Sequence, residues 1–301
     1  MKALTLLVCI GLLSNVQAQV DRSLQPQPGP APEINFGKPQ EYQFKNGMTL
    51  MVVENHKLPQ VSVSLSIDNP LYVEGKKKGI SGLLTSMMGK GSKNIPKDEF
   101  EEEVDFMGAS LSISSEGAYG NALKRYFPRL YEIMADAVLN PNFLEEEFKK
   151  EVDKTLEGLK ASEKDVKTVA RRVESLLCYG KDHPYGEYVS EESVNRVSIT
   201  DIEKLYQENF HAQNAYITIV GDIEFKTAKN LTQKYFGKWD KGQVTHSSFP
   251  KPKNVSQTQI AFVEMPNAVQ SEVSVISTAN VDRNNSDYYA LTIANQILGG
   301  G

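Results

Sequence analysis

Four histidines, two cysteines and several runs of carboxylates are the side chains of this 301-residue sequence with the clearest capacity for acid–base, nucleophilic or metal chemistry. No two of His56, His183, His211 and His246 stand three or four residues apart. A helix brings positions i, i+3 and i+4 onto one face, so local spacing among the histidines builds no imidazole pair for a metal. His56 in a turn after a strand, His211 near a helix end and His246 in a polar stretch read as solvated groups. His183-Pro184-Tyr185-Gly186 reads instead as a turn that its histidine shapes. The sequence contains no Gly-x-Ser-x-Gly turn and no Cys-x-x-Cys pair. Gly89-Lys90-Gly91-Ser92 matches only the end of a phosphate-binding loop: it follows a helical run rather than a buried strand and lacks the upstream glycine. Glu101-Glu102-Glu103 and Glu145-Glu146-Glu147 fit solvated first turns of helices, where negative charge is favoured.

More informative is Gly79 to Ser92, which reads G-I-S-G-L-L-T-S-M-M-G-K-G-S. In the spacing H-x-x-E-H, two imidazoles one helical turn apart hold zinc and a glutamate between them activates the bound water. Set on that spacing, the positions are Gly82, Thr85 and Ser86. None of these can ligate zinc with useful affinity or act as a base near neutral pH. Around them Leu83, Leu84, Met87 and Met88 keep the helix apolar, and Gly91-Ser92 follows as a turn. Further pieces come in order: Gly108-Ala109-Ser110-Leu111, Asn140-Pro141-x-Phe143, His183-Pro184-Tyr185-Gly186, Thr200-Asp201-Ile202 and Asn214 to Asp222.

In order and spacing these pieces make residues 40 to 301 resemble the pitrilysin/insulinase family of zinc metallopeptidases, the inverzincins. The resemblance implies that metal ligands belong at positions 82 and 86, the base at 85, and a third ligand on the charged helix seven residues after Glu151. That last position is Gly158, with Glu157 one place away as the alternative. A lone carboxylate without imidazole partners makes no zinc site. The resemblance also places an Arg and a Tyr that contact substrate in some members beyond residue 301.

The elements that would position such a site follow from pattern. Tyr42, Phe44, Asn46-Gly47 and Met48 to Glu54 predict a hairpin with a tight turn, because Asn-Gly supplies positive φ. Val61, Val63, Leu65 and Ile67 alternate with serines, a half-buried strand. Helices are predicted from about Gly79, from Pro96, from Pro128, over Leu144 to Ala161, on through Leu177, and over Ala228 to Phe236. Leu111 with Ile113 and Ala215 to Val220 give further strands. Lys241 to Gln257 is rich in Gly, Ser, Pro and Lys, a linker; beyond it Gln259–Val263 and Glu272–Ile276 read as strands and Asp287–Leu298 as a helix. The expected fold is α+β, and the resemblance implies a mixed sheet packed against helices in the LuxS/processing-peptidase-like sandwich. Its expected divisions are 1–18 signal peptide, 19–38 proline-rich linker, 39–240 first domain, 241–257 linker, and 258–301 the start of a second, truncated domain.

Met1-Lys2, the apolar run Ala3 to Leu13 and Val16-Gln17-Ala18 form a leader cleaved after Ala18, which implies export to a periplasmic or secreted location. The run is too short to span a bilayer, and no later run reaches that length. Cys178 is then the sole mature cysteine and reads as a buried apolar thiol. A formal charge of −5 with Lys and Glu interspersed leaves no basic stripe, which argues against a nucleic-acid partner. The resemblance with its chemistry removed implies a non-catalytic subunit that holds no cofactor. It would bind peptide along an edge strand, Ser110, Leu111, Ser112, Ile113 and Ser114, and form a chamber with a zinc-bearing, intact-motif homologue. Two alternatives stand beside it: a stand-alone exported peptide-binding or scaffold protein, and an active metallopeptidase with atypical ligands.

Overall fold

A computed structural model describes residues 29–30 and 38–299. The leader expected at 1–18 and nearly all of the proline-rich segment at 19–38 lie outside the described residues. The strands are β1 (Gln40–Gln43), β2 (Thr49–Glu54), β3 (Gln60–Ile67), β4 (Ser110–Ser114), β5 (Gly117–Leu123) and β6 (Ala215–Gly221). The helices are α1 (Ile80–Met87), α2 (Lys97–Phe106), α3 (Phe127–Leu139), α4 (Glu145–Ser162), α5 (Val166–Tyr179), α6 (Glu191–Asn195), α7 (Ile199–Asn209), α8 (Phe225–Phe236) and α9 (Tyr288–Gly299). The fold class is α+β: one mixed sheet in the order β1-β2-β6-β3-β5-β4, with β2 and β6 parallel and every other pair antiparallel.

Alternation decides which face of this sheet is dry. In β3, Val61, Val63, Leu65 and Ile67 point to the core and Ser62, Ser64 and Ser66 to the other face. The same inner face takes Leu50 and Val52 of β2 and Ile217 and Ile219 of β6. Across it lies α3, whose Phe127, Leu130, Tyr131, Ile133 and Met134 are almost wholly excluded from water. The Tyr131 hydroxyl and Thr232 Oγ1 of α8 are hydrogen-bonded at 2.8 Å, which satisfies both groups inside the core.

Strand β5 is absent from the pattern reading, and its composition explains why. G-A-Y-G-N-A-L is poor in branched residues, yet the strand must be thin where α3 rests on it. A Cβ at Gly120 would lie 3.2 Å from Leu130 Cδ2 and 3.4 Å from Val63 Cγ1. The first hairpin also differs from a two-residue Asn-Gly turn. Phe44 and Met48 close a wider loop (Phe44 N to Met48 O, 2.9 Å), with Gly47 at φ +94°. The Asn46 side chain serves both sides of the loop: its Nδ2 donates to the carbonyls of Phe236 and Trp239 at the end of α8, and its Oδ1 accepts from Met48 N at 3.4 Å within the turn.

Gln259–Val263 and Glu272–Ile276 are not strands here. A strand exists by virtue of its ladder, and these apolar segments are extended but unpaired, with Ile260, Phe262, Val273 and Val275 strongly exposed. Helix α9 forms close to its predicted span, without burying a residue.

Where β2, β6 and β5 end together, the chain carries a charged latch. His56 Nδ1 stands 2.5 Å from Asp222 Oδ1, Lys124 Nζ donates to the same oxygen at 2.9 Å, and His56 Nε2 is 3.4 Å from Glu54 Oε2. The Asp222 bond, followed by that to Glu54, raises the imidazole above its ordinary 6.5. The His56 and Lys124 bonds lower the Asp222 carboxyl below its ordinary 3.8. A raised imidazole adds stability that is complete below 6.5 and fades as pH rises through its folded value. A lowered carboxyl adds stability that is present above 3.8 and fades as pH falls through its folded value. The latch is therefore at full strength between these ordinary values. The thermal midpoint of the parent is expected to fall from pH 6 to pH 8 more than that of His56→Ala; parallel slopes would mean that the latch contributes nothing.

Candidate functional site

Gly82, Thr85 and Ser86, the positions that the resemblance aligns with the zinc motif, lie on α1, and the chain before that helix is held by charged side chains. Glu187 accepts hydrogen bonds from the backbone N–H groups of Gly75 at 2.5 Å and Glu74 at 3.0 Å. Glu74 accepts from Gly79 N at 2.7 Å, and Lys78 Nζ reaches both carboxylates, at 3.2 and 3.7 Å. The Ser193 hydroxyl donates to the Lys78 carbonyl at 2.7 Å. Gly79 itself is at φ +106°, and a Cβ there would come within 2.8 Å of Val189 Cγ1, so glycine is required where the chain turns into α1. The helix then buries Ile80, Leu83, Leu84 and Met87 against α7 and α4. Beyond it Gly89 and Gly91 turn the chain at positive φ, and Lys90 Nζ pairs with the buried Glu151 of α4 at 3.0 Å.

On this scaffold Gly82 is exposed while Thr85 and Ser86 are half-buried. Thr85 Oγ1 shares a hydrogen bond with Ser115 Oγ at 2.7 Å and accepts one from Ser115 N at 3.1 Å. Thr85 thus ties α1 to the β4–β5 turn. Gly158 is exposed on α4, two turns past Glu151, and Glu157 is also exposed, about 100° round the helix from it. A Cβ at Gly82 or at Gly158 would meet nothing within 4 Å. Packing therefore does not impose these two glycines.

Zinc takes imidazole, thiolate or carboxylate ligands, usually four-coordinate. Two bare glycines, a hydroxyl already engaged with Ser115 and one serine do not fit it. Among the described residues no group of three or more His, Cys, Asp or Glu is placed to hold a metal.

Strand β4 is the outer edge of the sheet, bonded on one side by β5. Ser110 and Ser112 are exposed, Leu111 and Ser114 half-buried, and Ile113 is buried. Helix α1 is among the elements that contact β4. Behind the edge, a shallow depression of about 220 Å³ is lined by Ser66, Ser112, Ser114 and the exposed Tyr119. An edge with unpaired N–H and C=O groups can accept an extended chain as a further strand.

Two sequence models of one family match the chain, "Insulinase (Peptidase family M16)" over residues 50–179 and "Peptidase M16 inactive domain" over residues 196–301. The chain belongs to the insulinase family, M16. Subunit 1 of the mitochondrial cytochrome b-c1 complex of Bos taurus is 26% identical over 268 residues, 85% of this chain and 54% of that protein. The mitochondrial-processing peptidase subunit alpha of Solanum tuberosum is 25% identical over 228 residues, 70% of this chain and 45% of that protein. This M16 chain thus spans about half the length of these relatives. Among solved structures, an M16 inactive domain from Pseudomonas fluorescens superposes with a TM-score of 0.69 at 19% identity, covering 88% of this chain and 65% of that one. The periplasmic protease PqqL of Escherichia coli gives 0.59 at 21% identity, covering 72% and 25%. Both support the fold. In this M16 chain no helix among the described residues is long and apolar enough to cross a membrane.

The contacts that hold α1 were not legible from sequence. Glu187 follows the His183 turn but is 112 residues from Gly75, and Lys90 and Glu151 are also far apart in sequence, so no local period links either pair. His183 is buried and accepts from Tyr185 N at 3.1 Å, shaping the turn as its motif suggested. His211 is not the solvated group its position implied: it is half-buried, and its Nδ1 is a buried atom without a hydrogen-bond partner. Gly242, at φ +62°, lies so close that a Cβ would meet the His211 ring at 2.1 Å.

Proposed function

We propose that this chain is an exported, non-catalytic M16 subunit that holds peptide and forms a chamber with a zinc-bearing homologue. The observation that carries the reading is a split between scaffold and chemistry. The loop before α1, the helix itself and the edge strand β4 are each secured by named contacts, while Gly82, Thr85, Ser86 and Gly158 offer nothing to a metal. Several relatives are by name subunits of complexes, the cytochrome b-c1 complex and the processing peptidase among them, which supports an assembly role. Peptide would join β4 at Ser110 to Ser114 through main-chain bonds, largely independent of its sequence. Any zinc belongs to the partner, and the leader read at 1–18 would carry the chain to the periplasm or the exterior.

The test is co-expression with an intact-motif M16 homologue from the same organism, followed by size-exclusion chromatography and a peptidase assay. Co-elution and faster peptide turnover than by the homologue alone are expected. Separate elution at micromolar concentration, with the homologue equally active alone, would leave the stand-alone peptide-binding protein as the better reading.

A further inference from the structure

The His183 turn has a second role that the proposed function does not use. Tyr179, the last residue of α5, stacks on the His183 ring at 5.0 Å between centroids, and Tyr185 packs edge-on to Tyr179 at 5.4 Å. The free edge of this cluster is taken by a residue from far along the chain. Phe249 sits on His183 at 4.6 Å and 77°, an edge-to-face arrangement. Its neighbours Thr245 to Ser248 and Pro250 are exposed, so Phe249 is the anchor of an otherwise solvated stretch.

That stretch is fastened at one other place before Phe249. Ala212 N and Gln213 N donate to the carbonyls of Asp240 and Lys241, at 2.9 and 3.1 Å. After Phe249 the chain runs along α5, an amphipathic helix with no fully buried residue. Between α5 and residues 253–277 lies a cavity of about 510 Å³, lined by Val169, Val173, Leu177 and Cys178 on one side and Ile260 and Met265 on the other. The second wall is held little elsewhere: a hydrogen bond between Ser274 Oγ and Glu174 and the Asn254–Thr278 pair are its polar ties.

We propose that Phe249 and the Tyr179–His183–Tyr185 cluster form a releasable clasp that holds residues 253–277 over α5, so that the cavity opens when Phe249 leaves its seat. Such a contact is weak enough to open thermally and specific enough to reclose, because the aromatic edge fits one orientation on the imidazole.

Phe249→Ala tests this in the full chain carrying Cys9→Ser, which leaves Cys178 as the sole thiol. Two rates are read at one pH: iodoacetamide labelling of Cys178 and tryptic cleavage after Lys253. Both follow the population of the open form when opening is faster than attack, and losing one aromatic contact should raise each roughly three- to tenfold. Phe249→Tyr, which keeps the ring edge, should retain the parent rates. Phe249 lies outside the hydrophobic core, so the unfolding midpoint should be unchanged. Parent-like labelling and cleavage in Phe249→Ala would overturn the clasp.

Discussion

A chain carrying Gly82→His, Thr85→Glu, Ser86→His and Gly158→Glu is expected to take up one zinc ion per molecule, where the parent takes up none. The side chains added at 82 and 158 enter open space, since a Cβ at either meets nothing within 4 Å. Positions 82 and 86 are one turn apart on a helix already pinned at both ends, by Glu187 and Glu74 before it and by the Lys90–Glu151 pair after it. The cost falls at 85, where glutamate replaces a hydroxyl bonded to Ser115, although its carboxylate can still accept from Ser115 N. Partners that orient the imidazoles are not provided, and each missing one weakens affinity by about 10–100-fold. The variant would be washed with chelator, remetallated and measured for zinc by mass spectrometry. A folded variant without zinc would show that these positions do not converge. A triple variant that leaves Gly158 unchanged yet binds equally well would hand the third ligand to Glu157.

Gly117→Ala is expected to destabilise the chain by about 3–5 kcal/mol, combining a strained backbone with an overpacked contact. Gly117 opens β5 at φ +140°, and a Cβ there would lie 2.0 Å from the carbonyl oxygen of Leu65, a backbone atom that cannot step aside. The damage would spread to the proposed peptide edge, because Ser114 pairs with Gly117 and Ser115 holds Thr85. Gly82→Ala is the natural control. Its helical backbone and open surroundings predict a gain of about 1 kcal/mol from helix propensity alone. Urea unfolding of the two variants should therefore move in opposite directions from the parent. Equal shifts would mean that the glycines are interchangeable and that the close approach at β5 is not felt.

These two glycines also mark how far sequence reading reached. Gly82 stands at a fixed place in the helical spacing of its neighbours, which is what the resemblance aligns with the zinc motif, and spacing is a one-dimensional property. Gly117 was not legible in that way, because its constraint comes from Leu65, a residue on another strand that no local period predicts. The same division holds across the site. Apolar periodicity placed α1, α3, α4 and β3 within a few residues. The buried carboxylates at Glu74 and Glu187, and the Thr85–Ser115 link, depend on chain segments meeting in space. Strand β5 was lost because its small residues fit a helix laid on top and so carry no β-branched signal. Gln259–Val263 and Glu272–Ile276 were misread as strands for the opposite reason: the alternation is there, but pairing is a property of two segments and not of one.

The position of β6 sets a folding order. It lies between β2 and β3, parallel to the first and antiparallel to the second, although it follows them by well over a hundred residues. Until residue 221 is available, the hairpin β1–β2 and the three-stranded unit β3-β5-β4 cannot be joined into one sheet, and both keep a bare inner edge. Closing so long a loop carries an entropy cost before any non-local contact returns it, so the contact order of this sheet predicts slow folding from a late nucleus. During synthesis the first two hundred residues would remain a substrate for chaperones, with unsatisfied strands on offer to other chains. For a protein proposed to cross a membrane before it folds, that delay keeps the chain threadable; for one expressed in the cytosol, it makes aggregation the competing outcome.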